Sequence, residues 1–152
     1  MIAMQTRAKM KGVTMLELMV VVVIVAILAT VAYPSYTSSI RKARRADGAA
    51  AVSGIQQAQA KLRASCRFYA QNLGAADVCG ATAAATTIRA AATSPDGRYA
   101  IALSAASGTG YTITATGQAD QANDKAQGTT CTLVMAVSAG NPNGAHTPAA
   151  CW

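Results

Sequence analysis

The sequence predicts an α+β protein in which one long N-terminal helix packs against a small antiparallel sheet of three or four strands. A nearly continuous apolar run comes first, and a stripe of apolar residues at three- and four-residue spacing follows it, from Ile40 to Leu62. From Tyr99 onward the apolar period changes to two. These patterns predict a helix from about Thr14 to about Ser65, with a transmembrane first half and an amphipathic second half, and then strands.

The apolar run contains no charged residue over Leu18–Ala32. With Val13–Leu16 added, its length of about 20 residues is enough for a helix to span a bilayer. One acid, Glu17, lies near its start, where a carboxylate costs roughly 2.5–3.5 kcal/mol on insertion scales. Because such a residue is expensive, Glu17 is a functional candidate. A basic residue and a glycine, Lys11-Gly12, directly precede the run.

This segment, GVTMLELMVVVVIVAILATVAYPSY, resembles the N-terminal signature of type IV prepilins. In that family a basic leader ends in glycine, and a dedicated peptidase cuts after it and N-methylates the new N-terminus. The resemblance implies cleavage between Gly12 and Val13, N-methylation of Val13, and an assembly role for Glu17, the fifth mature residue. In the family this carboxylate is thought to pair with the N-terminal ammonium of a neighbouring subunit. Val13 departs from the usual Phe, and Ala26 stands where a glycine is common.

The resemblance also implies a domain organisation and the type IV pilin fold. Residues 1–12 would be a leader, residues 13–33 a transmembrane and assembly helix, and residues 34–152 a head domain that includes the second half of the helix. Pro34 matches the family's proline, and because it lacks an N–H we expect it to break or kink the helix. The order ARRAD, YTITAT and a terminal CW is most like the minor pilins called PilE.

The implied function is that of a structural subunit of type IV pili, of the minor class, which supports pilus biogenesis, twitching motility, adhesion and DNA uptake. Its partners would be other pilin subunits, the prepilin peptidase and methylase, and the inner-membrane assembly platform. It would cross the inner membrane once and then enter the extracellular fibre. The alternatives are a DNA-receptor minor pilin for natural transformation and a type II secretion pseudopilin.

Two simpler interpretations of the N-terminus remain open. An ordinary signal peptide could be cut near Ala29–Ala32, which would leave Glu17 unexplained. A plain single-pass anchor is the other. Basic residues flank the run on both sides, so the positive-inside rule does not set its orientation.

The composition predicts a thin core. The chain has 152 residues, a formal charge of +7, 36 alanines, one Phe and one Trp. Four cysteines, which allow three pairings, could reinforce such a domain: Cys66, Cys79, Cys131 and Cys151. We expect Cys66–Cys79 and Cys131–Cys151 because each closes a local loop. These disulfides would require an oxidising compartment, and reduced thiols are the alternative.

The strands are predicted from alternation. Tyr99–Leu103 and Tyr111–Ala115 read as a hairpin around the turn at 107–110, and Cys131–Val137 reads as a third strand. A fourth could lie near the C-terminus. Residues 66–95 show no clear period, although the Ala/Thr run at 81–92 could hold a short helix, and Ser94–Gly97 has the composition of a turn.

Candidate binding residues are mostly basic. Arg41, Lys42, Arg44 and Arg45 could contact DNA phosphates or lipid headgroups, or could form a solvated or ion-paired helix face. A weaker outer patch could comprise Arg89, Arg98 and Lys125.

No catalytic motif, cofactor site or metal site is predicted. The oxygens of Asp120, Asn123 and Asp124 match no calcium loop and favour a polar turn. The single histidine, His146, makes neither a triad nor a metal site. We therefore expect no enzymatic activity.

Overall fold

The structure is a computed structural model that describes residues 12–152. It contains two compact units, one that ends at Thr37 and one that spans Ser38–Trp152, here called the head unit. Apart from Gly12, the predicted leader lies outside the described residues. The predicted boundaries at residues 12, 33 and 34 therefore stay predictions.

One long helix, α1, runs from Met15 to Arg63. Thr14 precedes it, and the Thr14 hydroxyl oxygen accepts a hydrogen bond from the Glu17 backbone N–H (3.2 Å), as a helix N-cap does. Lys61 and Arg63 lie in the last turn, where positive charge interacts favourably with the helix dipole. The apolar part of α1 is long and hydrophobic enough to cross a membrane, with a mean hydropathy of 2.8.

The prediction that Pro34 breaks the helix is wrong, because α1 continues through it. Pro34 removes a single backbone donor, and the residues on both sides keep helical hydrogen bonding. The Thr37 hydroxyl also donates to the Pro34 carbonyl (3.0 Å), and the Thr30 hydroxyl donates to the Ile27 carbonyl (2.7 Å). Favourable helix on both sides is therefore enough to carry the chain past the missing bond.

Eight strands follow: β1 (Asn72–Gly74), β2 (Thr87–Arg89), β3 (Tyr99–Ser104), β4 (Tyr111–Gly117), β5 (Lys125–Ala126), β6 (Thr129–Thr130), β7 (Leu133–Ser138) and β8 (Asn141–Thr147). The main sheet is antiparallel, in the order β3-β4-β7-β8, which confirms the fold class and includes the fourth strand. Two small pairs, parallel β1-β2 and antiparallel β5-β6, lie in regions that the sequence leaves without a period. The expected short helix at 81–92 is only one 3₁₀ turn, Ala83–Ala85.

The core lies between the second half of α1 and one face of the main sheet. Val52, Ile55 and Leu62 contribute from the helix, and the inward residues of the strands complete the cluster: Tyr99, Ile101, Tyr111, Ile113, Ala115, Leu133, Met135 and Val137. The helix approaches closely at Gly48, where an added Cβ would lie 2.8 Å from Leu133 Cδ1. A small residue is therefore needed at this contact.

Two disulfides reinforce this core, and they have the pairing that the local loops predict. Cys66 is bonded to Cys79, with Cα atoms 5.3 Å apart, and Cys131 is bonded to Cys151, with Cα atoms 5.4 Å apart. The first ties the chain after α1 to the segment before β2. The second ties the C-terminal tail to the start of β7.

Candidate functional site

The N-terminal segment presents its predicted processing residues to solvent. Gly12 and Val13 precede the helix, and Val13 is 70% exposed. Nothing lies within 4 Å of the position that a Cβ on Gly12 would take. The exposed Glu17 is in the first turn of α1, three residues after the capping Thr14. The pattern Thr-x-x-Glu is a capping-box signal that the sequence interpretation missed, and the structure shows its Thr14 half, the bond to the Glu17 backbone N–H.

The first unit leaves its apolar surface uncovered. The large hydrophobic side chains from Val13 to Tyr36 are 50–86% exposed. A contiguous apolar surface of this size marks contact with a membrane or with other protein chains.

The predicted basic cluster at 41–45 does not act as one surface. The Arg45 side chain is only 12% exposed and forms a two-bond pair with the buried Asp124, with Nε–Oδ2 at 2.5 Å and Nη2–Oδ1 at 2.9 Å. The hydrogen bonds that the Arg45 guanidinium donates to the Asp124 carboxylate raise the pKa of Arg45. Arg45 therefore follows the ion-paired alternative, because its charge is used within the head unit, and DNA or lipid contact by the cluster stays a prediction. Lys42 is exposed, and Arg41 and Arg44 are half-buried.

Gln121 extends this pair into a buried network. Its Nε2, which carries two hydrogens, lies within hydrogen-bond distance of three acceptors: the Arg41 carbonyl (3.0 Å), the Tyr99 hydroxyl (2.9 Å) and Asp124 Oδ2 (3.2 Å). Burial raises the pKa of Tyr99. The network fixes the 3₁₀ turn Ala119–Asn123 against α1, so Asp124 is a structural acid. Among residues 12–152 no group of three potential metal ligands comes together.

A second basic region forms at the C-terminal end of α1. We call Lys61, Arg63, Arg67, Phe68 and Tyr69 the tip cluster. Arg63 donates to the Cys66 carbonyl (2.7 Å) and to the Gly108 carbonyl (3.0 Å), and its guanidinium lies over the Tyr69 ring at 5.6 Å. The Arg67 guanidinium lies over the Phe68 ring, also at 5.6 Å.

Arg67 differs from Arg63 because it is exposed and makes no hydrogen bond or ion pair with any other residue that the structure describes. Its five donors are therefore available. The Tyr69 backbone N–H donates to the Ser107 carbonyl (2.9 Å), and the Tyr69 ring packs on Tyr111 at 4.7 Å. The tip cluster thus combines cations with aromatic faces on a fixed backbone.

Gln59 anchors the segment that carries the tip cluster. Its side chain is fully buried, with Nε2 donating to the Ala70 carbonyl (2.7 Å) and Oε1 accepting from the Ala70 N–H (2.9 Å). The sequence interpretation did not single out Gln59, Lys61 or Arg63 and did not connect them with Arg67. The arginine followed directly by two aromatic residues in CRFY is the signal that could have found the cluster.

The predicted outer patch is distributed over different elements. Arg89 ends β2, and its backbone N–H donates to the Asp77 carboxylate (2.7 Å). Arg98 precedes β3, whereas Lys125 belongs to β5 and lines a cavity together with Lys42 and Arg45. His146 stacks on Trp152, with ring centroids 4.1 Å apart.

Comparison with known families gives two matches. The family model described as type IV minor pilin ComP, DNA uptake sequence receptor, matches residues 34–134. The model of the prokaryotic N-terminal methylation motif matches residues 7–33. No curated protein and no solved structure matches the chain. The two matched segments adjoin and together cover residues 7–134.

Proposed function

This chain belongs to the type IV minor pilin family, and from that membership we propose that its head unit binds DNA during DNA uptake. The prediction of a type IV minor pilin, anchored in the membrane and then part of the fibre, is confirmed. The matched description names a DNA receptor, which was one of the alternatives that the sequence left open. It favours that function over a secretion pseudopilin.

The proposed maturation uses the exposed N-terminal segment. The prepilin peptidase cuts between Gly12 and Val13 and the new amine of Val13 is methylated. The methylation-motif match over residues 7–33 and the exposure of both residues support this step. The chain itself acts as a substrate and then as a structural subunit, with no catalytic step of its own.

The proposed assembly step covers the apolar surface of the first unit with the helices of other pilins. Burying Glu17 among such helices would leave its negative charge unpaired in an apolar environment unless a cation pairs with it. The Val13 ammonium of a neighbouring subunit is a suitable partner because it lies at the same end of an identical or related helix. Glu17 thereby sets the register between subunits.

The tip cluster is the DNA contact that the head unit supports best. The unit carries ten Lys or Arg residues and five Asp residues, which gives a net charge of +5. No acidic residue occurs between Asp47 and Asp77, the stretch that contains the whole cluster. Positive charge without local acids attracts phosphates, and this attraction supplies most nonspecific DNA affinity.

Arg67 is the residue expected to read the DNA, and its position over Phe68 carries the proposal. Its guanidinium can make two parallel hydrogen bonds to a phosphate or to the guanine edge. Stacking on Phe68 holds the side chain in place before DNA arrives, so less side-chain entropy is lost on binding. Arg63, whose donors are used within the protein, contributes charge and holds the backbone.

Fluorescence anisotropy of a labelled 20-base-pair duplex, titrated with the mature full-length chain in neutral detergent, tests this proposal. Arg67→Gln should weaken binding by about 1–3 kcal/mol and reduce the slope of log K against log salt by about 0.9. Arg89→Gln removes the same charge elsewhere on the head unit and should have a much smaller effect. Equal losses from the two variants, or none from Arg67→Gln, would overturn the placement of the site.

A further inference from the structure

A polar cavity lies at the other end of the head unit from the tip cluster. It has a volume of about 320 Å³ and is lined by Lys42 and Arg45 of α1, by Lys125–Gln127, and by Ala150 near the C-terminus. Lys61 of the tip cluster follows Lys42 by 19 residues, which is about 28 Å of helix. The cavity is therefore separate from the proposed DNA contact.

The cavity carries unneutralised positive charge. Arg45 gives its donors to Asp124, to the Ala150 carbonyl (3.4 Å) and to the Lys125 carbonyl (3.3 Å), so this arginine and its acid cancel. Lys42 and Lys125 are exposed, and neither ammonium has a hydrogen bond or an ion pair within residues 12–152. Two ammonium groups thus face one polar cavity whose only charged pair is already satisfied.

The backbone that presents Lys125 is strained. The turn between β5 and β6 consists of Gln127 (φ 50°) and Gly128 (φ 80°), as in a tight hairpin with two left-handed residues. Glycine adopts this conformation freely, whereas for a glutamine it costs on the order of 1 kcal/mol. The turn is joined to α1 by the hydrogen bond that Arg45 donates to the Lys125 carbonyl (3.3 Å), and Lys125 and Gln127 line the same cavity as Lys42.

In the sequence, Lys42 of this cavity follows Ala32, the last residue of the apolar run, by only ten residues. The Cα–Cβ bonds of a helix tilt toward its N-terminus, and lysine side chains near membrane surfaces extend toward the headgroup layer. This also gives a role to basic residues on the far side of the span, which the positive-inside rule does not explain.

We propose that this cavity binds the phosphate group of an anionic phospholipid while the protein is anchored in the membrane. Lys42 and Lys125 supply the charge, and the Gln127 amide donates a further hydrogen bond. Lipid bound here stabilises the subunit while it is anchored in the membrane. The lipid is released when the subunit leaves the bilayer for the fibre. The proposal does not depend on DNA binding.

Native mass spectrometry of the mature full-length chain, released from neutral-detergent micelles, tests the site. The micelles contain phosphatidylglycerol or the net-neutral phosphatidylcholine, and a third sample contains inorganic phosphate alone. We expect one retained phosphatidylglycerol per chain, little phosphatidylcholine and no phosphate adduct. Lys42→Gln combined with Lys125→Gln should lower phosphatidylglycerol affinity about 30-fold, since each basic residue near an anionic lipid surface contributes a factor of about five.

Two matched variants complete the test. Lys42→Arg combined with Lys125→Arg keeps the charge and should retain phosphatidylglycerol. Lys61→Gln combined with Arg67→Gln removes the same charge from the tip cluster and should also retain it. Equal loss from both charge-removing pairs, or equal retention of phosphatidylcholine, would overturn the proposal. Phosphate adducts without a preference for lipid would overturn the proposal in favour of a free-anion site. If Lys42→Gln combined with Lys125→Gln lowers duplex affinity and leaves lipid retention unchanged, the cavity binds DNA instead.

Discussion

Replacing Gln59 by alanine should destabilise the head unit more than any other change of an uncharged polar residue to alanine on α1. The Gln59 side chain is fully buried, and it satisfies both the N–H and the carbonyl of Ala70, which is also fully buried. Alanine would leave both backbone groups without a partner. The segment that they hold begins at Cys66 and includes Phe68 and Tyr69, so the tip cluster should loosen as well.

The size of the effect follows from the two groups left unpaired. Each buried backbone group without a partner costs about 1–3 kcal/mol, so the pair would cost about 2–6 kcal/mol. Alanine recovers a few tenths of a kcal/mol through its higher helix propensity. Relaxation of the segment toward water reduces the loss further. We therefore expect about 3 kcal/mol and, at about 4 °C or more per kcal/mol, a fall in Tm of at least about 10 °C.

Thermal unfolding of the disulfide-bonded protein, followed by circular dichroism in the same detergent, measures this loss. Gln57→Ala is the matched control because Gln57 has the same side chain on the same helix but is exposed. It should change the free energy of unfolding by less than about 0.5 kcal/mol. If Gln59→Ala and Gln57→Ala have the same Tm, Gln59 does not anchor the tip segment.

Three further predictions concern assembly, pH and packing. Glu17→Gln keeps the capping chemistry but loses the charge, so it should abolish incorporation into sheared pili, whereas Thr14→Ala, which removes only the cap, should not. Immunoblots of sheared fractions measure the incorporation of both variants. Normal incorporation of Glu17→Gln would remove the ion pair from the mechanism. Burial raises the pKa of Tyr111 to about 12, above the usual value of 10. The stability that the neutral Tyr111 contributes is therefore complete below pH 10 and is lost as the pH rises to about 12. Tyr111→Phe should flatten that part of the pH–stability profile. Gly48→Ala should destabilise the head unit by about 1 kcal/mol or more, because crowding against β3 and β7 outweighs the gain in helix propensity. Gly54 has open space around it, so Gly54→Ala should stabilise the head unit by up to about 1 kcal/mol. Chemical denaturation measures both changes.

The spacing of apolar residues was sufficient to predict the helices and strands whose residues follow a regular local pattern. The alternation at Tyr99, Ile101 and Leu103 and the stripe through Ile55 and Leu62 predicted the elements and the faces that meet. Local loop closure likewise predicted both disulfides. Local sequence also identified the family, because the processing signature is one short continuous segment.

The sequence is least informative where a distant partner decides the role of a residue. DNA contact and ion pairing are both open for Arg45 until the fold pairs it with Asp124, 79 residues away. Gln59 lies outside the apolar stripe of α1, but it is buried against a backbone segment whose course no pattern predicts. Pro34 was overestimated as a helix breaker because one missing donor is a small defect in a long, otherwise favourable helix.

The cavity and the tip cluster share this limitation. Lys42 and Lys125 come together only in the fold, where Arg45 of α1 donates a hydrogen bond to the Lys125 carbonyl. Arg67 becomes a candidate for DNA contact only when it is seen over the Phe68 ring, without an ion pair among the described residues.

Site-specific photocrosslinking tests the central claim, that the tip cluster of this minor pilin contacts DNA, most directly. A benzophenone amino acid is placed at position 68 or, in a separate chain, at position 127 beside the basic cavity, and each protein is irradiated with a labelled duplex. Position 68 should give a protein–DNA adduct that disappears when Arg67→Gln is added, and position 127 should give little. Stronger adducts from position 127 than from position 68 would contradict the account.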